Sequence, residues 1–182
     1  MRLFLLVISI ASLLVTGCEL MVSKEHPKDA ELIEKFRVHR DDLELLVRML
    51  KEDRSLGRVG EDFTRVSNFF GDCVRDGPDC STSTDIGVSD ARLSEYRRLF
   101  SKIGLSRGIE GYGKKELITF IVSTKGLAVT GSSKGFVYAT DLKASSMNVV
   151  EDLDSYWSDD KRSFTALRHI EGSWYLYFNY ED

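Results

Sequence analysis

The chain has 182 residues, a formal charge of −4 and 42% hydrophobic residues. That length suits one domain with its own core, and a mildly acidic chain with interspersed charges lacks the basic footprint of a nucleic-acid binder. Its three histidines, His26, His39 and His169, are too few and too scattered for a histidine-based metal centre.

Arg2 precedes a run from Leu3 to Val15 that only Ser9 and Ser12 interrupt. This run is too short to span a bilayer as a helix and has the length of a signal-peptide core. Leu14-Val15-Thr16-Gly17-Cys18 ends it. This segment resembles the lipobox of bacterial lipoproteins. The resemblance implies that residues 1–17 are removed and that Cys18 is acylated and begins the mature chain. The protein would then sit in the bacterial cell envelope, bound to a membrane through Cys18. Glu19 stands where an Asp would favour the inner membrane, which points to the outer membrane facing the periplasm. Two or more acyl chains, at about 0.8 kcal/mol per buried CH₂, make such an anchor essentially permanent. Residues 18–28 read as lipidated Cys and polar tether, with a coil reach of about 15–20 Å. Residues 29–182 read as a single domain.

The first helix is expected from about Pro27 to Asp53. Leu32, Phe36, His39, Leu43, Leu46 and Leu50 recur at steps of four and three and form one stripe. His39 in that stripe reads as a hydrogen-bonded residue at the core margin. Arg58 to Val66 is expected to hold one strand. A Gly/Asp/Ser/Thr-rich segment, Gly71 to Gly87, contains Cys73 and Cys80. With Cys18 lipidated, an even pair in an oxidising compartment reads as a disulfide. Its short loop would contribute roughly 2–3 kcal/mol. Free thiols are the alternative; the pair lacks a nearby His and the CxxC spacing of a metal or redox site.

The second helix is expected from Asp90 to Ile103, capped by Ser89 and stopped by Gly104. Strands follow at Leu117 to Ser123, Leu127 to Thr130 and Phe136 to Thr140. Thr124-Lys125-Gly126 and Gly131 to Gly135 read as the turns between them. Leu142 to Arg162 reads as irregular, with one helical turn near Glu151 to Trp157. A terminal hairpin pairs Phe164 to Ile170 with Ser173 to Tyr180 around Glu171-Gly172. A two-residue turn would pair His169 with Trp174 and place Arg168, Tyr175 and Tyr177 on one face. Those three form the candidate binding surface, because interface hot spots favour Arg and Tyr.

Several segments match catalytic or ligand-binding motifs in part. Gly131-Ser132-Ser133-Lys134-Gly135 matches G-x-S-x-G, with Asp141 and His169 following in triad order, but Ser133 lacks the strand-to-helix turn that a nucleophile needs. Gly108 to Lys114 nearly matches a phosphate-binding loop, but Lys115 replaces the magnesium-binding hydroxyl and no helix follows. Asp72, Asp76, Asp79 and Asp85, and separately Glu151, Asp152, Asp154, Asp159 and Asp160, read as solvated acidic faces. No cofactor or metal is expected.

Segments including Glu95-Tyr96-Arg97-Arg98-Leu99, Ser123-Thr124-Lys125-Gly126-Leu127 and Arg168-His169-Ile170-Glu171-Gly172-Ser173-Trp174 resemble a set of small uncharacterised bacterial proteins. That resemblance implies a domain and no activity. The expected fold is α+β, with two helices on an antiparallel sheet of about five strands, and a cone-shaped NTF2-like sheet as an analogy. The leading functional expectation is a non-enzymatic envelope protein with a protein partner, one version being an immunity protein. The alternative is a binding module for a small apolar or glycan ligand, using aromatics such as Trp157, Trp174 and Tyr180. A hydrolase is the third reading.

Overall fold

The computed structural model describes residues 25–66, 73–74, 87–111, 114–127, 130–142, 147–156 and 163–182. Helix α1 spans Asp29–Glu52 and buries Leu32, Phe36, Leu43, Leu46, Val47, Met49 and Leu50. Its apolar stripe is the one expected, and each of these side chains contributes roughly 1.5–3 kcal/mol by leaving water. His39 sits at a kink, with φ −113° and ψ 18°. Its ring lies 3.4 Å from Asp42, which also pairs with Lys102 at 2.7 Å and so ties α1 to α2.

Helix α2 spans Asp90–Ile103 as expected. The Ser89 hydroxyl accepts from the Arg92 amide, and Gly104 stops the helix at φ 78°. The Gly104 and Leu105 amides both close on the Phe100 carbonyl. The helices also meet at Asp53, which accepts from Tyr96 Oη and Arg92 Nε at 2.9 Å each. Burial and the Asp53 carboxylate push the Tyr96 phenol far up. Lys115, buried and at φ 55°, donates to the carbonyls of Leu50 and Asp53 at the end of α1. Burial lowers its amine to about 8.

The strands are β1 (Leu56–Val59), β2 (Phe63–Val66), β3 (Cys73–Val74), β4 (Ile109–Glu110), β5 (Leu117–Leu127), β6 (Thr130–Ala139), β7 (Asn148–Val149), β8 (Phe164–Glu171) and β9 (Trp174–Glu181). They form one sheet in the order β3-β2-β1-β4-β5-β6-β9-β8-β7. All pairs are antiparallel except β7 with β8. Both helices cover one face. There Trp174 packs against Phe36, Phe120 and Tyr138, with ring centroids 5.2–5.4 Å apart.

The sheet therefore has nine strands among the described residues, not about five. The extra strands have local causes. The expected strand from Arg58 to Val66 folds back at Gly60, whose amide donates to the Phe63 carbonyl, giving β1 and β2. The two-residue strands β3, β4 and β7 are too short to carry a periodic signal. The three strands expected between Leu117 and Thr140 are two long ones. Gly131 to Gly135 lies inside β6 rather than in a turn. These glycines serve close approach: a Cβ on Gly135 would overlap the Phe120 carbonyl oxygen, and one on Gly131 would lie 2.7 Å from the Lys125 oxygen. The expected helical turn near Glu151 is absent among the described residues, where 151–156 runs as bends.

Candidate functional site: an open groove and a buried charge network

The face of the sheet away from the helices is covered over only half its length. Near the β8–β9 turn, Val137, Ala139, Leu167 and Tyr177 are buried beneath Leu142 and Met147. Toward the far end, where β5 leads into β6, the face stays open as a groove of about 850 Å³. Alternation along the strands, with a register shift between Ile121 and Ser123 of β5, places Arg58 of β1, Glu110 of β4, Ile121 and Thr124 of β5, Ser133 of β6 and Asn179 of β9 around it. Asp62, Phe63, Arg107, Lys125, Ser132 and Glu181 also line it.

Arg58 lies over the Phe63 ring, 5.0 Å from its centroid, and 3.6 Å from Glu110. Its buried Nε is the atom that faces Glu110, just beyond hydrogen-bond distance. Asn179 accepts from Thr165 at 2.7 Å and donates to Glu181 at 3.2 Å. Burial pushes the Tyr177 phenol up.

On the helix-covered face, at the same end of the sheet, lies a network of buried charge. Lys134 and Asp29 are 3% and 2% exposed and 2.7 Å apart. Lys134 also meets Asp154 at 2.6 Å, and Arg168 meets Asp29 at 2.8 Å. Asp29 begins α1, so the network fastens that helix to β6, β8 and the segment before β8. Burial alone would raise the Asp29 carboxyl; hydrogen bonds from Lys134, Arg168 and the Leu153 amide outweigh it and hold it below the usual range. Asp29, Asp152 and Asp154 lie close enough to share an ion, but Lys134 and Arg168 supply the positive charge there.

His26 lies beside this network. Its Nδ1 is 2.5 Å from Ser123 Oγ and its Nε2 is 2.8 Å from Ser132 Oγ. Its ring meets Phe178 edge-on at 5.6 Å. Burial, with Lys125 and Lys134 nearby, lowers its pKa to about 4. Two ring nitrogens bonded to two hydroxyls fix the imidazole to both β5 and β6.

The residues singled out from sequence are scattered. Cys18, Cys80, Trp157, Asp159, Asp160 and the aspartates at 72, 76, 79 and 85 lie outside the described residues, and Cys73 is seen only as backbone of β3. Arg168, Tyr175 and Tyr177 do not share a surface. A bulge between His169 and Glu171 pairs Arg168 with Leu176, His169 with Tyr175 and Leu167 with Tyr177. That one-residue slip turns Arg168 to the helix side, while Tyr177 is 3% exposed on the other. Ser133 and His169 are also apart. Ser133 pairs with Asn179, and His169 with Tyr175 four residues along β9, about 14 Å away. His169 Nε2 faces the Gly172 carbonyl at 3.2 Å. Trp174 fills the core rather than lining a pocket. His39 is hydrogen-bonded at the core margin, as expected.

No protein-family model, no curated protein and no solved structure matches this chain. Among the described residues no helix is long and apolar enough to cross a membrane.

Proposed function

We propose that this chain is a lipid-anchored bacterial envelope protein that binds a protein partner and carries out no catalysis, an immunity protein being one version. The reading combines the lipobox-like segment ending at Cys18 with the open groove, where Arg58, Arg107 and Lys125 alongside Asp62, Glu110 and Glu181 offer a partner charges of both signs. A partner presenting a carboxylate to Arg58 would compete with Glu110, which lies 3.6 Å from its Nε. The separation of Ser133 from His169 supports the non-enzymatic part.

A photo-reactive residue at Ser133, in cells, should give one discrete protein adduct that Arg58→Glu abolishes. Adducts that persist unchanged in Arg58→Glu, or none at all, would defeat the protein-binding reading. The groove volume also suits a small ligand. Mass surviving native conditions on the purified chain would support that second reading. The intact mass of membrane-purified protein tests the anchor through acylated Cys18. A rise of about 2 Da on reduction tests the Cys73–Cys80 disulfide. The sheet has an NTF2-like, cone-shaped form in this reading, and the chain is kin to a set of small uncharacterised bacterial proteins. The first rests on two helices sharing one face of a long antiparallel sheet.

A further inference from the structure

We propose that His26 clamps the chain to β5 and β6 so that this end of the sheet, and the mouth of the groove, rests against the lipid headgroups of the membrane that carries Cys18. The inference rests on the anchoring reading above. Its geometry comes from three observations at one end of the molecule. His26 is fixed to Ser123 and Ser132, and Ser132 itself lines the groove together with Thr124 and Lys125. Asp29, three residues on, is fixed by Lys134 and Arg168. The clamp therefore begins at His26, three residues before Asp29.

From Cys18 to Glu25 the chain spans at most about 25 Å fully extended, and about 15 Å as a coil. A domain of this size is about 40 Å across. A tether of that reach cannot carry the anchor around the domain, so the clamped end must face the bilayer. The surface there suits a headgroup layer of mixed charge. Arg58, Arg107 and Lys125 stand against Asp62, Glu110 and Glu181 around the groove, so neither sign dominates. The opposite end of the sheet is the β8–β9 turn. Trp174 and Glu181 bound β9, which separates the two ends by about 24 Å. A partner entering the groove would then belong to the same membrane.

The test uses full-length acylated protein in vesicles of phosphatidylethanolamine and phosphatidylglycerol. A photo-reactive p-azidophenylalanine replaces Thr124 at the groove or Glu171 at the opposite turn. Lipid adducts, counted by mass, should be about fivefold or more abundant at position 124, given the roughly 24 Å between the ends. His26→Ala, which lengthens the tether only as far as Asp29, should lower that preference without abolishing it. A Gly/Ser insertion of about fifteen residues between Leu20 and Met21, which leaves the clamp untouched, should reduce it by lengthening the reach. Equal labelling at both positions, or more at 171, would overturn the proposal even with the chain acylated. A chain of unacylated mass that does not float with the vesicles would instead refute the anchoring reading, and the proposal with it.

Discussion

Lys134→Met is the sharpest test of the buried charge network. Lys134 Nζ lies 2.7 Å from Asp29 and 2.6 Å from Asp154, and both Lys134 and Asp29 are almost fully buried. Removing one partner of a buried pair costs about 3–5 kcal/mol, because a carboxylate is left out of water without its counter-charge. Arg168 and the Leu153 amide still hold Asp29, and Met refills most of the volume, so the lower end applies. About 3 kcal/mol corresponds to a fall in Tm of about 6–12 °C for a domain of this size. Urea unfolding of the soluble chain from Glu19 onward, followed by circular dichroism, reads the loss directly. Adding Asp29→Asn to Lys134→Met removes the stranded charge and should recover at least about 1 kcal/mol. Asp29 also carries a pH signature. Its folded carboxyl sits below the ordinary value, so its contribution is complete above that value and is lost as pH falls through the folded one. Lys134→Met should flatten this acid limb. A variant within about 0.5 kcal/mol of the parent, or a double variant no better than the single, would refute the reasoning.

Three further outcomes follow from the same structure. Lys115→Met removes two hydrogen bonds to the last carbonyls of α1 and should destabilise by about 2–3 kcal/mol, read by the same denaturation. Gly135→Ala should disrupt the β5–β6 pairing, since the added methyl meets the Phe120 carbonyl; loss of amide-exchange protection in both strands would show it. His26 binds its proton less readily folded than unfolded, so stability is complete above about pH 6.5 and falls as pH drops toward about 4. The ring is only half-buried and screened by solvent, so that loss should be about 1 kcal/mol. An NMR titration placing the His26 midpoint near 6.5 would contradict it.

Both helices were legible because their signals are local and mutually consistent. The stripe from Leu32 to Leu50 and the Ser89 and Gly104 boundaries point to the same answer. The sheet was legible only where strands are long. Gly131 and Gly135 are ambiguous in sequence because glycine marks either a turn or a close backbone approach, and only the neighbouring strand decides which. Here Phe120 and Lys125 decide, and they belong to β5. The groove was invisible for a related reason. Arg58, Glu110, Thr124, Ser133 and Asn179 come from five strands, and no spacing within one segment connects them.

The register of the terminal hairpin shows how charge overrides turn chemistry. Glu171-Gly172 suits a two-residue turn, and that register would put Arg168 outward beside Tyr175 and Tyr177. The observed bulge sends Arg168 inward instead, at the cost of an irregular ladder. What compensates is Asp29, 139 residues away, whose buried carboxylate meets Arg168 at 2.8 Å. Without Arg168 that carboxylate would keep only Lys134 and the Leu153 amide. Without Asp29 an inward Arg168 would be an uncompensated charge on the helix side. Arg168, itself partly exposed, thus supplies counter-charge to the buried Asp29, and its face is matched to a partner on α1 rather than to the two residues at the turn.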